Sequence, residues 1–233
     1  MRLTAPAATA LTAAAMALAA PSSTASLNPA KAGVPQDRSI EFQVFRKGEQ
    51  IGTHRLHFES KGDRLQVDVE ADLKVQVLFV TVYRYNHHST ELWAGDRMVA
   101  FESATKQNGK KWEVDAHVAG DDKLLVKTND QQRFVPDTLP PTSYWRPEMM
   151  QTSRWFNTQF GSPIDVNIAP RGTEQIASVG KTVNAHRYNI TGVIAETGKP
   201  VNLDLWYGDN GELVKMQFVA VADGSLIEFE RTS

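Results

Sequence analysis

Thirteen residues, Leu65 to Val77, alternate apolar and polar side chains without interruption. Successive side chains of a β-strand point to opposite faces, so this pattern predicts a strand with one buried and one hydrated face. At about 3.3 Å per residue the strand would run roughly 43 Å, close to the full diameter of a compact domain of about 200 residues. A strand of that length favours a large, curled sheet whose apolar face must be covered.

Other extended segments follow at short intervals, separated by turn residues such as Asn108-Gly109. Short connections favour an antiparallel meander, so we predict an all-β fold built on one curled antiparallel sheet, an open or half barrel. Both faces become apolar over 78–82, which predicts a bend or a covered outer face. The predicted strands are 39–46, 50–60, 63–77, 79–93, 97–106, 110–118, 123–128, 131–135, 164–170, 173–179, 182–192, 200–208, 212–221 and 225–231.

One long connection, between Phe134 and Ile164, interrupts the meander with five prolines and several aromatic residues. Prolines cannot continue a sheet interior, so the chain leaves the sheet here. Thr142 or Ser143 could cap a short helix. We therefore predict one or two short helices in a central loop that partly fills the hollow of the sheet, with Trp155 in the second helical turn.

The first residues carry one charge, Arg2, followed by a run rich in alanine and leucine. Such a run is typical of a secretory signal peptide, and cleavage after Ala19 or Ala25 fits its small residues. We predict a signal peptide over 1–25, a flexible leader over 26–37 and a single β domain over 38–233. The expected location is the periplasm or the extracellular medium, with no integral membrane span after signal removal.

Composition excludes several classes of function. The chain has no cysteine, which rules out lipid attachment at a lipobox, disulfides, thiolate zinc sites and cysteine nucleophiles. Its 25 basic and 27 acidic residues are scattered, so nucleic acid is not expected as a partner. No glycine-rich phosphate loop is present, and we expect no cofactor.

Several polar clusters suggest chemistry that strand geometry opposes. His87 and His88 should point to opposite faces, and Glu91 would lie about 13 Å from His87 along the strand, too far to share a metal ion. The carboxylates of 68–72 alternate with apolar residues and fit a hydrated strand face. Ser143 lacks the Gly-x-Ser-x-Gly setting of a hydrolase nucleophile. We assign no catalytic or metal-binding residue.

Several blocks of residues occur in a characteristic order along the chain. The most specific are Pro141-Thr142-Ser143-Tyr144-Trp145 and Asn157-Thr158-Gln159-Phe160-Gly161, accompanied by Val82-Tyr83-Arg84-Tyr85, Trp93, Asn108-Gly109, Leu205-Trp206-Tyr207 and Asp223-Gly224. In these blocks the chain resembles a family of exported proteobacterial proteins known as a domain of unknown function. The resemblance spans most of residues 40–231, and it implies export and an all-β fold without supplying a catalytic residue.

An exported, curled sheet whose central loop forms a helical lid over the hollow also looks like the LolA and LolB type of bacterial envelope lipoprotein carrier. This is an analogy of architecture alone. It suggests that the hollow binds an apolar or amphiphilic molecule. The alternative is that the lid side chains fill the hollow themselves. The candidate ligand-binding residues are Tyr144, Trp145, Met149, Met150, Trp155, Phe156, Phe79 and Tyr83.

The predicted function is therefore that of an exported, non-enzymatic protein that binds a lipid-like molecule. Two other hypotheses stay open. The first is an envelope assembly module that contacts another protein through a sheet edge or the aromatic loop. The second is a hydrolase whose catalytic groups converge only in three dimensions.

Overall fold

The computed structural model describes residues 33–233, so the predicted signal peptide and most of the leader lie outside the described residues. The described chain is all-β, as predicted. Its fourteen strands are β1 (Ser39–Arg46), β2 (Glu49–Lys61), β3 (Arg64–Val77), β4 (Val80–Ala94), β5 (Arg97–Gln107), β6 (Lys110–Val118), β7 (Lys123–Thr128), β8 (Gln132–Pro136), β9 (Arg154–Asn157), β10 (Ser162–Ser178), β11 (Lys181–Ile194), β12 (Lys199–Gly208), β13 (Leu213–Val219) and β14 (Leu226–Arg231).

All fourteen strands form one antiparallel sheet in the order β8-β7-β6-β5-β4-β3-β2-β1-β14-β13-β12-β11-β10-β9. The first and last strands pair with each other, as Val44 opposite Phe229 illustrates. The pairing of β1 with β14 therefore joins the N-terminal and C-terminal strands into one sheet. The two edge strands of this sheet are β8 and β9. The sheet does not close into a barrel, which confirms the predicted open, curled architecture.

The alternating segment forms β3 and behaves as predicted. Leu65, Val67, Val69 and Leu73 are buried, whereas the polar residues between them face outward. The strand pairs with β2 on one side and β4 on the other along nearly its whole length. Its apolar face thus forms part of the inner wall of the curled sheet.

Within residues 33–233 the structure has one helical element, the 3-10 helix Pro147–Gln151, which lies in the central connection. A second helical turn around Trp155 and Phe156 was predicted, and that prediction is wrong. These residues form β9, which pairs with β10 on one edge. On its other edge the Phe156 N–H donates to the Pro140 carbonyl at 2.8 Å. Backbone pairing on both edges explains why this short segment is extended.

We call residues 137–161 the central segment, and it lies inside the curve of the sheet. The Trp145 ring packs edge-on against Phe58 at 5.5 Å between centroids, and the Phe156 ring packs against Phe101 at 5.1 Å. The segment ends at Gly161, which has φ +63° and lies so close to the sheet that an added Cβ would be 2.8 Å from a Val126 methyl. The segment therefore fills one part of the hollow.

The apolar run over 78–82 is neither a bend nor covered on its outer face, so that prediction is wrong. Leu78 and Phe79 form the two-residue turn between β3 and β4, and they are 88% and 98% exposed. A turn without glycine or asparagine gave no conventional signal in the sequence.

Residues 33–233 include no helix of the length and apolar character that spanning a membrane requires.

Candidate functional site

A cavity of about 350 Å³ lies between the inner wall of the sheet and the central segment. Both halves of the sheet line it, with Val69 of β3 on one side and Leu203 of β12 on the other. The sheet therefore bends far enough to bring distant strands to one space. Val219 and Val221 border the cavity and are partly exposed, so it opens to solvent beside them.

One row across neighbouring strands forms the floor of the cavity. His54 of β2 lies opposite Ala71 of β3, which lies opposite His87 of β4, which lies opposite Thr105 of β5. Ala71 has the smallest side chain on the inward face of β3, and it is only partly covered. A small residue between two imidazoles leaves a depression in the wall, which the cavity occupies.

The two histidines of this row are buried and face the cavity. Burial is the main cause that lowers the pKa of each histidine from 6.5 to about 4. A neighbouring histidine contributes to the same shift, His87 in the case of His54 and His88 in the case of His87. His54 stacks on Phe42 at 6.1 Å, and its Nε2 has no hydrogen-bond partner among the described residues. His87 Nδ1 lies 2.7 Å from Thr105 Oγ1. Both rings are thus neutral near pH 7.

Further polar groups face the same space. Tyr83 Oη accepts a hydrogen bond from Gln107 Nε2 at 3.1 Å. Burial raises the pKa of Tyr144 to about 12, so its hydroxyl stays protonated. The Gln159 Nε2 is buried and finds no partner within 33–233. The remaining lining is mainly aliphatic and aromatic, including Leu73, Ile164, Val166, Met216, Phe218 and Phe229. The cavity is therefore largely apolar, with uncharged hydrogen-bonding groups on its floor and in the central segment and the exposed Lys199 at its border.

The structure separates the residues that the sequence had grouped as ligand-binding. Tyr83, Tyr144 and Trp155 line the cavity, whereas Trp145, Met149 and Phe156 belong to the packed core. Met150 is partly exposed and packs against that core. Phe79 lies at the exposed turn between β3 and β4, outside the cavity lining.

His54, Ala71 and Gln159 line the cavity and were not predicted from the sequence. For His54 a signal was present, because it shares the inward register of Leu56 and Phe58 on β2. A polar side chain in an apolar register marks a special site in the wall.

Glu91 is fully buried and anchors the central segment. The indole N–H groups of Trp93 and Trp145 each donate to its Oε2 at 2.9 Å. Burial raises the pKa of Glu91, while the hydrogen bonds from the two indoles and the charge of Arg146 oppose that rise. The Arg146 guanidinium also lies 4.4 Å above the Trp93 ring. A polar network thus ties the segment to β4.

No three His, Asp or Glu side chains within 33–233 converge on a metal position. His88 is exposed on the outer face, opposite to His87. Ser143 borders the cavity, but no histidine of the described chain hydrogen-bonds to its hydroxyl. A second depression of about 700 Å³, bordered by charged residues such as Asp209 and Arg231, has a polar, open character.

A comparison with one solved structure supports this fold. A crystal structure of a β-barrel-like protein of the domain of unknown function DUF1849 from Brucella abortus has a TM-score of 0.60 at 10% identity, covering 83% of this chain and 94% of that chain. A Parabacteroides distasonis structure described as a "putative lipoprotein" has a TM-score of 0.34 at 11% identity, covering 84% of this chain and 93% of its own. No curated protein sequence matches the chain. The family described as "Domain of unknown function (DUF6134)" matches residues 42–232, and this protein therefore belongs to that family.

Proposed function

We propose that this protein is exported and binds an amphiphilic, lipid-like molecule in the cavity beneath the central segment. The observation that carries the proposal is a largely apolar cavity with a buried imidazole nitrogen, His54 Nε2, that has no partner among the described residues. Export to the periplasm rests on the signal-like residues 1–25.

The polar groups of the cavity suit the head of an uncharged or weakly polar molecule. A buried donor or acceptor without a partner costs about 1–3 kcal/mol, and a ligand group that pairs with it recovers that cost. His54 Nε2 and Gln159 Nε2 are two such groups. Their side chains are uncharged near neutral pH, so an ester, amide or hydroxyl would pair with them without a buried ion.

The apolar lining suits a hydrocarbon portion of the same molecule. The volume of about 350 Å³ lies within the range of about 300–1,000 Å³ that is usual for small-molecule pockets. Burying about 200 Å² of apolar ligand surface would contribute on the order of 5 kcal/mol before the entropic cost of binding. That is sufficient for reversible carriage.

Filling the depression at Ala71 should weaken binding. We expect the purified protein to bind the uncharged fluorescent ester methyl 11-(dansylamino)undecanoate. Ala71→Phe should weaken this binding at least tenfold, because the new ring would occupy the space between His54 and His87. Fluorescence titration measures the affinity. Native mass spectrometry of protein from its host, before and after delipidation, should show a retained mass.

Ala177→Phe is the matched control, because Ala177 is an exposed residue of β10 outside the cavity. It makes the same change of side chain and should leave the affinity unchanged. Equal affinities of the two variants would place the probe elsewhere. Absence of binding by fatty acids, phospholipids and acylated peptides at micromolar protein, with no retained mass, would overturn the proposal.

A further inference from the structure

The β3–β4 hairpin ends in an exposed apolar tip. Five of the twelve large apolar side chains that are most exposed within 33–233 belong to this one hairpin. Isolated exposed apolar residues are ordinary on soluble proteins, whereas a contiguous cluster marks an interaction site. We define the tip by its members, Val77, Leu78, Phe79, Val80 and Val82.

The backbone of the tip is unfavourable for the residues that it carries. Leu78 and Phe79 have φ of 49° and 69°, in the left-handed region that glycine and asparagine tolerate. The neighbouring β5–β6 hairpin makes its turn with Asn108 and Gly109, which suit such angles. Folding alone would therefore favour a similar pair at 78–79. The apolar side chains at this turn point to a role outside folding.

Basic residues surround the base of the tip. Lys74 lies directly opposite Arg84 across the hairpin. The β5–β6 turn ends beside them, because the Arg84 N–H donates to Asn108 Oδ1 at 2.9 Å. That second hairpin contributes Lys106, Lys110 and Lys111. None of these five cations forms an ion pair within the described chain.

Asp72 lies in the row behind Lys74, and Glu70 and Glu113 lie in the next row, beside Lys106 and Lys111. Five cations stand against these three carboxylates, so the charge around the base of the tip is net positive. A hairpin with an apolar tip and basic residues at its base matches the surface of an anionic bilayer. Apolar side chains enter the acyl boundary of such a bilayer, and cations contact its phosphates.

We infer that the β3–β4 hairpin tip inserts into the surface of a lipid bilayer that contains anionic phospholipid. The inference does not depend on the proposed function. It would, however, place the cavity beside the lipid, because Leu73 and Tyr83 line the cavity a few residues from the tip.

Vesicle flotation tests the tip directly. We expect the protein to float with vesicles of phosphatidylcholine and phosphatidylglycerol at three to one, and to bind pure phosphatidylcholine at least tenfold more weakly. The double variant Leu78→Asn/Phe79→Gly should lose at least tenfold in binding to the mixed vesicles, while its urea midpoint stays equal to or above that of the wild type. Phe134→Asn, which removes an exposed aromatic residue elsewhere, should bind normally.

The absence of cysteine in the chain allows a second, site-specific readout. Phe79→Cys labelled with an environment-sensitive nitrobenzoxadiazole dye should shift its emission to the blue on addition of the mixed vesicles, whereas Val193→Cys, also exposed, should not. Flotation of the double variant at wild-type strength, or an unchanged spectrum at position 79, would overturn the inference. Equal binding to neutral and anionic vesicles would also contradict it, because the basic residues at the base of the tip would then not contribute to membrane binding.

Discussion

Replacing Trp145 by alanine should lower the free energy of unfolding by about 3–5 kcal/mol. The side chain is 1% exposed, and its ring lies 5.5 Å from Phe58 and 5.8 Å from Trp93 between centroids. Its loss would open a cavity in the core and remove one of the two indole donors of the buried Glu91 carboxylate. Urea denaturation followed by circular dichroism measures the change.

Two further variants separate the causes of this loss. Trp145→Phe retains much of the packing but removes the indole donor, so we expect a loss of about 1–3 kcal/mol. Trp112→Ala is the matched control, because Trp112 is only partly buried and packs against Phe160 at 5.6 Å. It should cost clearly less than Trp145→Ala. A loss below about 1 kcal/mol for Trp145→Ala would show that the central segment is not part of the folding core.

The strands could be predicted because their determinants are local. Period-two alternation and glycine or asparagine turns located twelve of the fourteen strands to within a few residues, and β3 is the clearest case. The exceptions are β10 and β9, and in β9 Trp155 and Phe156 are both buried. A short strand enclosed on both faces lacks alternation, so the sequence could not distinguish it from a helical turn.

The strand β10 shows a second limit. The sequence predicted two strands, separated near Pro170 and Gly172, whereas the structure has one continuous strand, Ser162–Ser178. The pairing with β11 shifts register between those two residues. A bulge absorbs the irregularity without ending the strand, and proline and glycine read locally cannot reveal that.

The cavity was harder to predict than the wall around it. The sequence identified the aromatic residues of the central segment, but it could not tell which of them face the cavity. Tyr144 faces it, whereas its neighbour Trp145 packs against Phe58. That difference depends on how the segment crosses the sheet. Predicting the floor would have required knowledge of the register of three strands, which places Ala71 between His54 and His87.

We expect the two histidines of the cavity floor to make the folded protein lose stability in acid, beginning at pH values above those at which ordinary carboxylates titrate. Burial lowers the pKa of His54 and of His87 from 6.5 to about 4. The unfolded chain therefore binds protons first as the pH falls below 6.5, and the folded state loses stability down to about pH 4. Each histidine should contribute a loss of about 3 kcal/mol over this interval.

Other shifted groups do not reproduce this dependence. Burial raises the pKa of Glu91, so acid relieves the cost of its buried charge and stabilises the folded state. Hydrogen bonds from Ser225 lower the pKa of Asp223, so its contribution is lost only below the usual range of an aspartate. The decline between pH 6.5 and 4 is therefore assigned to the two histidines.

Urea unfolding at pH 7 and pH 4 measures the decline, and the double variant His54→Gln/His87→Gln should remove most of it because an amide does not titrate in this range. His57→Gln, at an exposed position of the same strand, is the control and should retain the full decline. If the double variant lost stability in acid as steeply as the wild type, the two imidazoles would have to be hydrated in the folded protein. Water would then fill the floor of the cavity, and the same result would weaken the argument that a ligand group pairs with His54.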